Sequence, residues 1–266
     1  MQPSLRVARP VSGPQGRTRV AAAPMSSVKD SLAAVQAAVA SAQTARAEAL
    51  KLSEPTPVRL VAVSKTKPVE LLREAYDAGH RHFGENYVHE VVEKAPQMPE
   101  DTQWHFIGHL QSNKVSMLLK GCPTLACLET IDSEKLARAV DKAWSGICPE
   151  RRLRVMIQVN SSGEETKNGV EPGQVAELAR VISTELSSLE LVGLMTIGAP
   201  DYSGCRTEDF ETLHACRDQV AAAVGADPLS LELSMGMSAD FENAIREGST
   251  SVRVGSSIFG ARSYPA

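Results

Sequence analysis

Several features are scarce in this chain, and each scarcity removes a class of function. The 266 residues hold no apolar run near the roughly 20 needed to cross a bilayer, so no membrane partner is expected. Aromatic residues are only 4% of the chain, with four tyrosines and five phenylalanines, which leaves few platforms for stacking bases. Positive charge is not in excess: 28 Lys plus Arg face 32 Asp plus Glu, a net −4, so no global field draws in nucleic acid. The five cysteines, Cys122, Cys127, Cys148, Cys205 and Cys216, are odd in number, scattered and without a C-x-x-C. That argues against a disulfide framework or zinc site and fits reduced thiols. His80, His82, His105 and His109 come in two spaced pairs, but no H-E-x-x-H or third ligand cluster accompanies them. Core or hydrogen-bonded histidines are expected there, and no metal.

What is present falls into two unlike parts. Residues 1–24 carry Arg6, Arg9, Arg17 and Arg19 and no acid, the first carboxylate being Asp30. They are punctuated by Pro3, Pro10, Pro14 and Pro24 and hold no apolar stretch like a secretory core. A basic, acid-free leader is what organellar import machinery reads. Two expectations stand: a disordered transit peptide directing the protein to plastid or mitochondrion, or a cytoplasmic protein starting at Met25. The remainder is rich enough in apolar residues, 42% overall, to build a large core.

Val28, Leu32, Val35 and Val39 form one apolar stripe, which predicts a helix. Eight strand signals follow, each but the last feeding a helix. They are Arg59–Ser64, His82–Gly84, Trp104–Ile107, Leu125–Thr130, Arg154–Val159, Leu189–Met195, Leu229–Leu233 and Ser251–Val254. Pro68 suits a first helical turn, Asp132 reads as an N-cap, and Gly248 as a stop. Strands separated by helices pair in parallel through right-handed crossovers, and nearly continuous apolar strands suit burial on both faces. No glycine-rich dinucleotide loop follows the first strand, which disfavours an open doubly wound sheet. The expected fold is α/β: a (β/α)8 TIM barrel with an extra N-terminal helix, one unit over residues 28–266.

In such a barrel the chemistry gathers where strands end. Lys65 shares the side-chain parity of Val61 and Val63, so inward valines aim it at the mouth. Partial desolvation and the neighbouring charge of Lys67 favour a neutral amine, which can attack an aldehyde. Gly236 and Ser238 after the seventh strand, and Gly255, Ser256 and Ser257 after the eighth, put glycines and hydroxyls just before helices. That combination favours an anion such as phosphate. Asp240 and Glu242 cap the following helix but would repel an anion if they faced it. Arg253 lies between two valines of the eighth strand and must meet an anion or acceptor if buried. Pairing on the helix side with a carboxylate such as Glu247 is the alternative. Met195, Met235 and Met237 read as packing.

Six blocks then carry a resemblance: VAVSKTKP, FGENYVHE, WHFIGHLQSNK, QVNSSGEETKNGV, GLMTIG and LSMGMSADFENAIREGSTSVRVGSSIFG. In order and spacing, over roughly Leu32 to Tyr264, they resemble the pyridoxal phosphate homeostasis protein family, whose barrel is similar to the N-terminal domain of alanine racemase. The resemblance implies that Lys65 carries pyridoxal 5′-phosphate (PLP) as a Schiff base, that Ser238, Gly255 and Ser256 hold its phosphate, and that Arg253 faces the pyridine nitrogen. It also implies that Asn86 lies beside the ring and that Lys167 sits near the site. Serine replaces the family's usual threonine at Ser256 and keeps the hydroxyl; Thr166 replaces a usual serine. An arginine there donates to an unprotonated pyridine nitrogen, which makes the ring a poorer electron sink.

The resemblance implies a non-catalytic carrier acting in intracellular PLP homeostasis, buffering the cofactor or delivering it to apo PLP-dependent enzymes. A racemase-like enzyme acting on amino acids is the alternative. Alanine racemase takes a second base from its partner's C-terminal β domain; this chain ends soon after the eighth strand, and Tyr87 or Lys167 would have to serve. Nothing in the pattern demands a second subunit, so a monomer is expected.

Overall fold

The computed structural model describes residues 27–163, 168–198 and 205–261. The basic leader, Thr166 and Lys167 lie outside the described residues.

Helix α1 (Val28–Leu50) precedes β1 (Arg59–Val63), α2 (Val69–Asp77), β2 (His82–Glu85), α3 (Val88–Lys94) and β3 (Gln103–Phe106). Then come α4 (Val115–Gly121), β4 (Leu125–Ile131), α5 (Glu134–Ser145), β5 (Leu153–Gln158), α6 (Val175–Glu185) and β6 (Leu189–Met195). The last elements are α7 (Thr207–Val224), β7 (Glu232–Met237), α8 (Phe241–Arg246), β8 (Ser251–Val254) and α9 (Ser256–Phe259). Each strand pairs in parallel with the next, and β1 pairs with β8, so the sheet closes into an eight-stranded barrel. This is the expected (β/α)8 fold, and α1 is its extra helix. Among the described residues no helix is long and apolar enough to cross a membrane.

Local chemistry accounts for the elements. Ser27 opens α1, its Oγ accepting from the Asp30 N–H at 3.1 Å. The stripe Val28, Leu32, Val35 and Val39 is buried, and α1 packs on α8 and α9. Each of these side chains contributes about 1.5–3 kcal/mol of gross burial energy. Strand alternation divides the interior in two. Leu60, Ala62, Val252 and Val254 belong to the core between strands and helices, whereas Cys127, Met156, Val192 and Met195 form a separate cluster.

Two expectations are corrected. The seventh strand is Glu232–Met237, not Leu229–Leu233. Pro228–Ser230 form a 3-10 turn instead, capped by Asp227, which accepts from the Leu229 N–H at 2.9 Å. A proline-led, Asp-capped turn overrides the apolar signal of Leu229, which is 80% exposed. At the other end, Gly236 (φ +98°) lies inside β7, where pairing with β8 shifts register, so a segment that resembles a loop is strand. Likewise Ser133, not Asp132, caps α5: its Oγ accepts from the Leu136 N–H at 3.3 Å, while Asp132 pairs with His109 at 3.1 Å.

Candidate functional site

The carboxyl ends of β1, β2, β3, β6, β7 and β8 open on a cavity of about 330 Å³. All six site residues expected from the sequence, Lys65, Asn86, Ser238, Arg253, Gly255 and Ser256, line it. Ile107, Ile197 and Met237 add apolar walls, so Met237 is a lining residue, whereas Met195 and Met235 are fully buried packing. The size lies at the lower end of the roughly 300–1,000 Å³ typical of small-molecule sites.

Lys65 stands half-buried where β1 breaks into a turn. Its flanking peptide groups are gripped from behind. The Lys94 ammonium donates to the Ser64 carbonyl at 3.0 Å, and the Thr66 N–H donates to Glu90 Oε2 at 2.8 Å. Thr66 adopts φ +62°, a left-handed conformation costly for a β-branched residue, so the turn is held rather than relaxed. Lys94 itself is buried between Glu85 Oε1 at 2.7 Å and Glu90 Oε2 at 2.5 Å. Burial pushes the Glu85 carboxyl up to about 7, against the opposing pull of Lys94 and Ser64. Lys67 lines the same cavity and donates to the Ala261 carbonyl at 2.6 Å; burial lowers its pKa.

Opposing chain segments meet closely where β7 and β8 end. A Cβ on Gly255 would stand 3.2 Å from the Val63 carbonyl oxygen, so this position suits glycine by close approach. The Gly255 N–H donates to Ser238 Oγ at 3.2 Å, which ties the ends of β7 and β8 together. Gly255 is the N-cap of α9, and the first N–H groups of a helical turn have no intrahelical acceptor. Asp240 is not one of the residues lining the cavity. Its two carboxylate oxygens accept from the Met237 and Cys205 N–H groups, each at 2.6 Å. Glu242 pairs with Arg246 along its own helix.

Arg253 turns into the barrel, not toward Glu247 on the helix side. It is 4% exposed and donates to Ser234 Oγ and to the Thr196 carbonyl, each at 2.6 Å. Asn86 is positioned by a backbone crossing: a Cβ on Gly108 would lie 2.0 Å from the Asn86 carbonyl oxygen. The Asn86 Oδ1 atom is buried and has no hydrogen-bond partner among the described residues. Tyr87 is 47% exposed, stacks on His89, and is not one of the lining residues.

Two groups escaped the sequence reading. The Glu85–Glu90–Lys94 cluster is signalled only by a carboxylate and a lysine four residues apart. His105, Glu129 and Ser234 meet inside the barrel from β3, β4 and β7, strands that are not all neighbours. His105, Cys127 and Glu129 also bring ligand atoms within 4.8 Å of one another, yet His105 Nδ1 is already bonded to Glu129 Oε1 at 2.7 Å.

A family model described as the alanine racemase N-terminal domain matches residues 36–263. The pyridoxal phosphate homeostasis protein of Bos taurus is 51% identical over 214 residues, 77% of this chain and 78% of that relative. The chain belongs to the pyridoxal phosphate homeostasis proteins, within the alanine racemase N-terminal domain family. A Caenorhabditis elegans member is 47% identical over 228 residues, 82% of this chain and 92% of its own length. Among solved structures, PipY of Synechococcus elongatus PCC7942 with PLP bound matches with a TM-score of 0.68 and 31% identity, covering 88% of this chain and 100% of PipY.

Proposed function

We propose that this chain binds pyridoxal 5′-phosphate as a Schiff base on Lys65 and acts in intracellular homeostasis of that cofactor, buffering or delivering it without a dedicated reaction. One observation carries the reading: a primary amine, a buried guanidinium and a hydroxyl- and glycine-lined helix start all line one cavity of about 330 Å³. The homeostasis proteins that it resembles, and PipY with PLP bound, support the same ligand.

The residues fit the group. When bound, PLP supplies an aldehyde that condenses with an amine and a ring that accepts electron density. Lys65 would hold the aldehyde carbon, and Ser238, Gly255 and Ser256 the phosphate. The unsatisfied Asn86 Oδ1 offers an acceptor beside the ring, and Ile107, Ile197 and Met237 exclude water from it. A guanidinium only donates, so Arg253 would face the ring nitrogen as a hydrogen-bond donor. That restrains the electron sink and favours holding over broad chemistry. Tyr87, one candidate second base for the racemase alternative, is not among the lining residues, and the other, Lys167, lies outside the described residues.

Titration with PLP, followed by absorbance, tests the proposal. Wild type should develop a Schiff-base band that Lys65→Ala abolishes, with negligible turnover of L-amino acids. A colourless wild type sinks the ligand assignment, and racemisation at ordinary enzymatic rates sinks the carrier role. Residues 1–24 are proposed as a transit peptide from their composition alone. A reporter fused to residues 1–30 should enter an organelle; a diffuse cytoplasmic reporter favours a start at Met25.

A further inference from the structure

The barrel interior holds a continuous polar chain that the reading above does not use. Ser234 on β7 donates to Glu129 Oε2 on β4 at 2.6 Å, a bond that spans the lumen because these strands are not neighbours in the sheet. Glu129 Oε1 is 2.7 Å from His105 Nδ1, and His105 Nε2 is 3.0 Å from His82 Nδ1. His82 lines a second cavity, of about 720 Å³, at the amino-terminal end of the barrel with Arg59, Arg81 and Glu232. Glu129, His105 and Ser234 are buried. The Arg253 guanidinium, at the mouth end, completes the chain through Ser234.

The direction of the bonds follows from donor chemistry. An ionised carboxylate only accepts and a guanidinium only donates. The Ser234 hydroxyl therefore points its hydrogen at Glu129 and its lone pairs at Arg253. Burial alone would favour a neutral Glu129, but the His105 bond and the Arg253 charge hold its pKa below the usual value. A guanidinium this deeply buried also needs a counter-charge, and Glu129 is the carboxylate linked to it.

We infer that Glu129 is a positioning residue for the cofactor ring: acting through Ser234, it fixes the orientation of Arg253 and balances its charge, while His105 steadies Glu129 from the other side. The inference rests on the proposal that Arg253 meets the ring nitrogen. Without Glu129, the guanidinium can turn and its charge falls more fully on the ring. A side chain kept only for packing would have neither effect.

The test uses Glu129→Gln and Ser234→Ala beside wild type, with two readouts. In the cofactor-free protein, NMR of the Arg253 Nη protons reports rotation: separate signals in wild type, averaged signals in the variants. In PLP titrations, the variants should bind at least about tenfold more weakly, and their absorbance maximum should move. Unchanged Arg253 signals together with wild-type affinity and absorbance in a folded Ser234→Ala protein would overturn the inference. Ser234→Ala decides the matter if Glu129→Gln fails to fold, because it removes a hydroxyl and leaves the carboxylate. A wild type that does not bind PLP defeats the proposed function instead, and the Arg253 signals still show whether Glu129 holds the guanidinium.

Discussion

Replacing Lys94 with methionine removes the ammonium that buried Glu85 and partly buried Glu90 share and keeps most of the side-chain volume. In the wild type, Lys94 Nζ lies 2.7 Å from Glu85 and 2.5 Å from Glu90, and it donates to the Ser64 carbonyl at 3.0 Å. Burial holds the Glu85 carboxyl near 7, above its ordinary 4.5. A raised acid is more protonated in the fold than in the unfolded chain. Its contribution is therefore present below the unfolded value and is lost as pH rises through the folded one, between about 4.5 and 7. Above that window the cluster carries two negative charges and one positive. Lys94→Met then strands two carboxylates without a cation, at a cost of about 3–5 kcal/mol. Near pH 5.5 the Glu85 carboxyl can take up a proton, and the loss should shrink to roughly 1–2 kcal/mol, the scale of a lost hydrogen bond. Urea unfolding of the cofactor-free protein near pH 5.5 and pH 8 reads both values. Because Ser64 and Thr66 flank Lys65, PLP affinity should fall more at the higher pH. An equal loss of stability at both pH values would refute the charge reasoning.

Other perturbations separate site from scaffold. Gly108→Ala should displace Asn86, because the added Cβ falls 2.0 Å from the Asn86 carbonyl; weaker PLP retention in a folded protein is expected, measured by absorbance after gel filtration. Leu32→Ala, in the buried stripe of α1, should cost about 2–5 kcal/mol in urea unfolding and leave PLP affinity unchanged. A loss of affinity there would mean that α1 reaches the site. Ser133→Ala should cost about 1 kcal/mol as a lost N-cap, and Asp132→Ala less, by the same assay.

The barrel was legible because hydrophobic rhythm is a local property: most strands announce themselves as short apolar runs between helical stripes. The exception is instructive. Leu229 supplied an apolar signal where Asp227 and Pro228 impose a turn, and Gly236 disguised strand as loop. That six candidate residues share one cavity was legible for two reasons. Strand ends in a barrel converge by topology, and the family resemblance assigned each a role. Strand pattern alone left the direction of Arg253 open, and the structure turns it inward. What stayed hidden depends on contacts across the lumen. Glu129 and Ser234 are far apart in sequence and on strands that do not pair, so no spacing predicts their bond. Glu85 is obscured similarly, because its partner Lys94 returns to it only through the fold of α3.

Borohydride reduction of the PLP-treated protein, followed by peptide mapping, tests the central claim most directly. It traps the amine that carries the aldehyde. The account predicts a pyridoxyl group on the peptide containing Lys65, and its disappearance with Lys65→Ala. Label confined to Lys67 or Lys167, or no label at all, would contradict it.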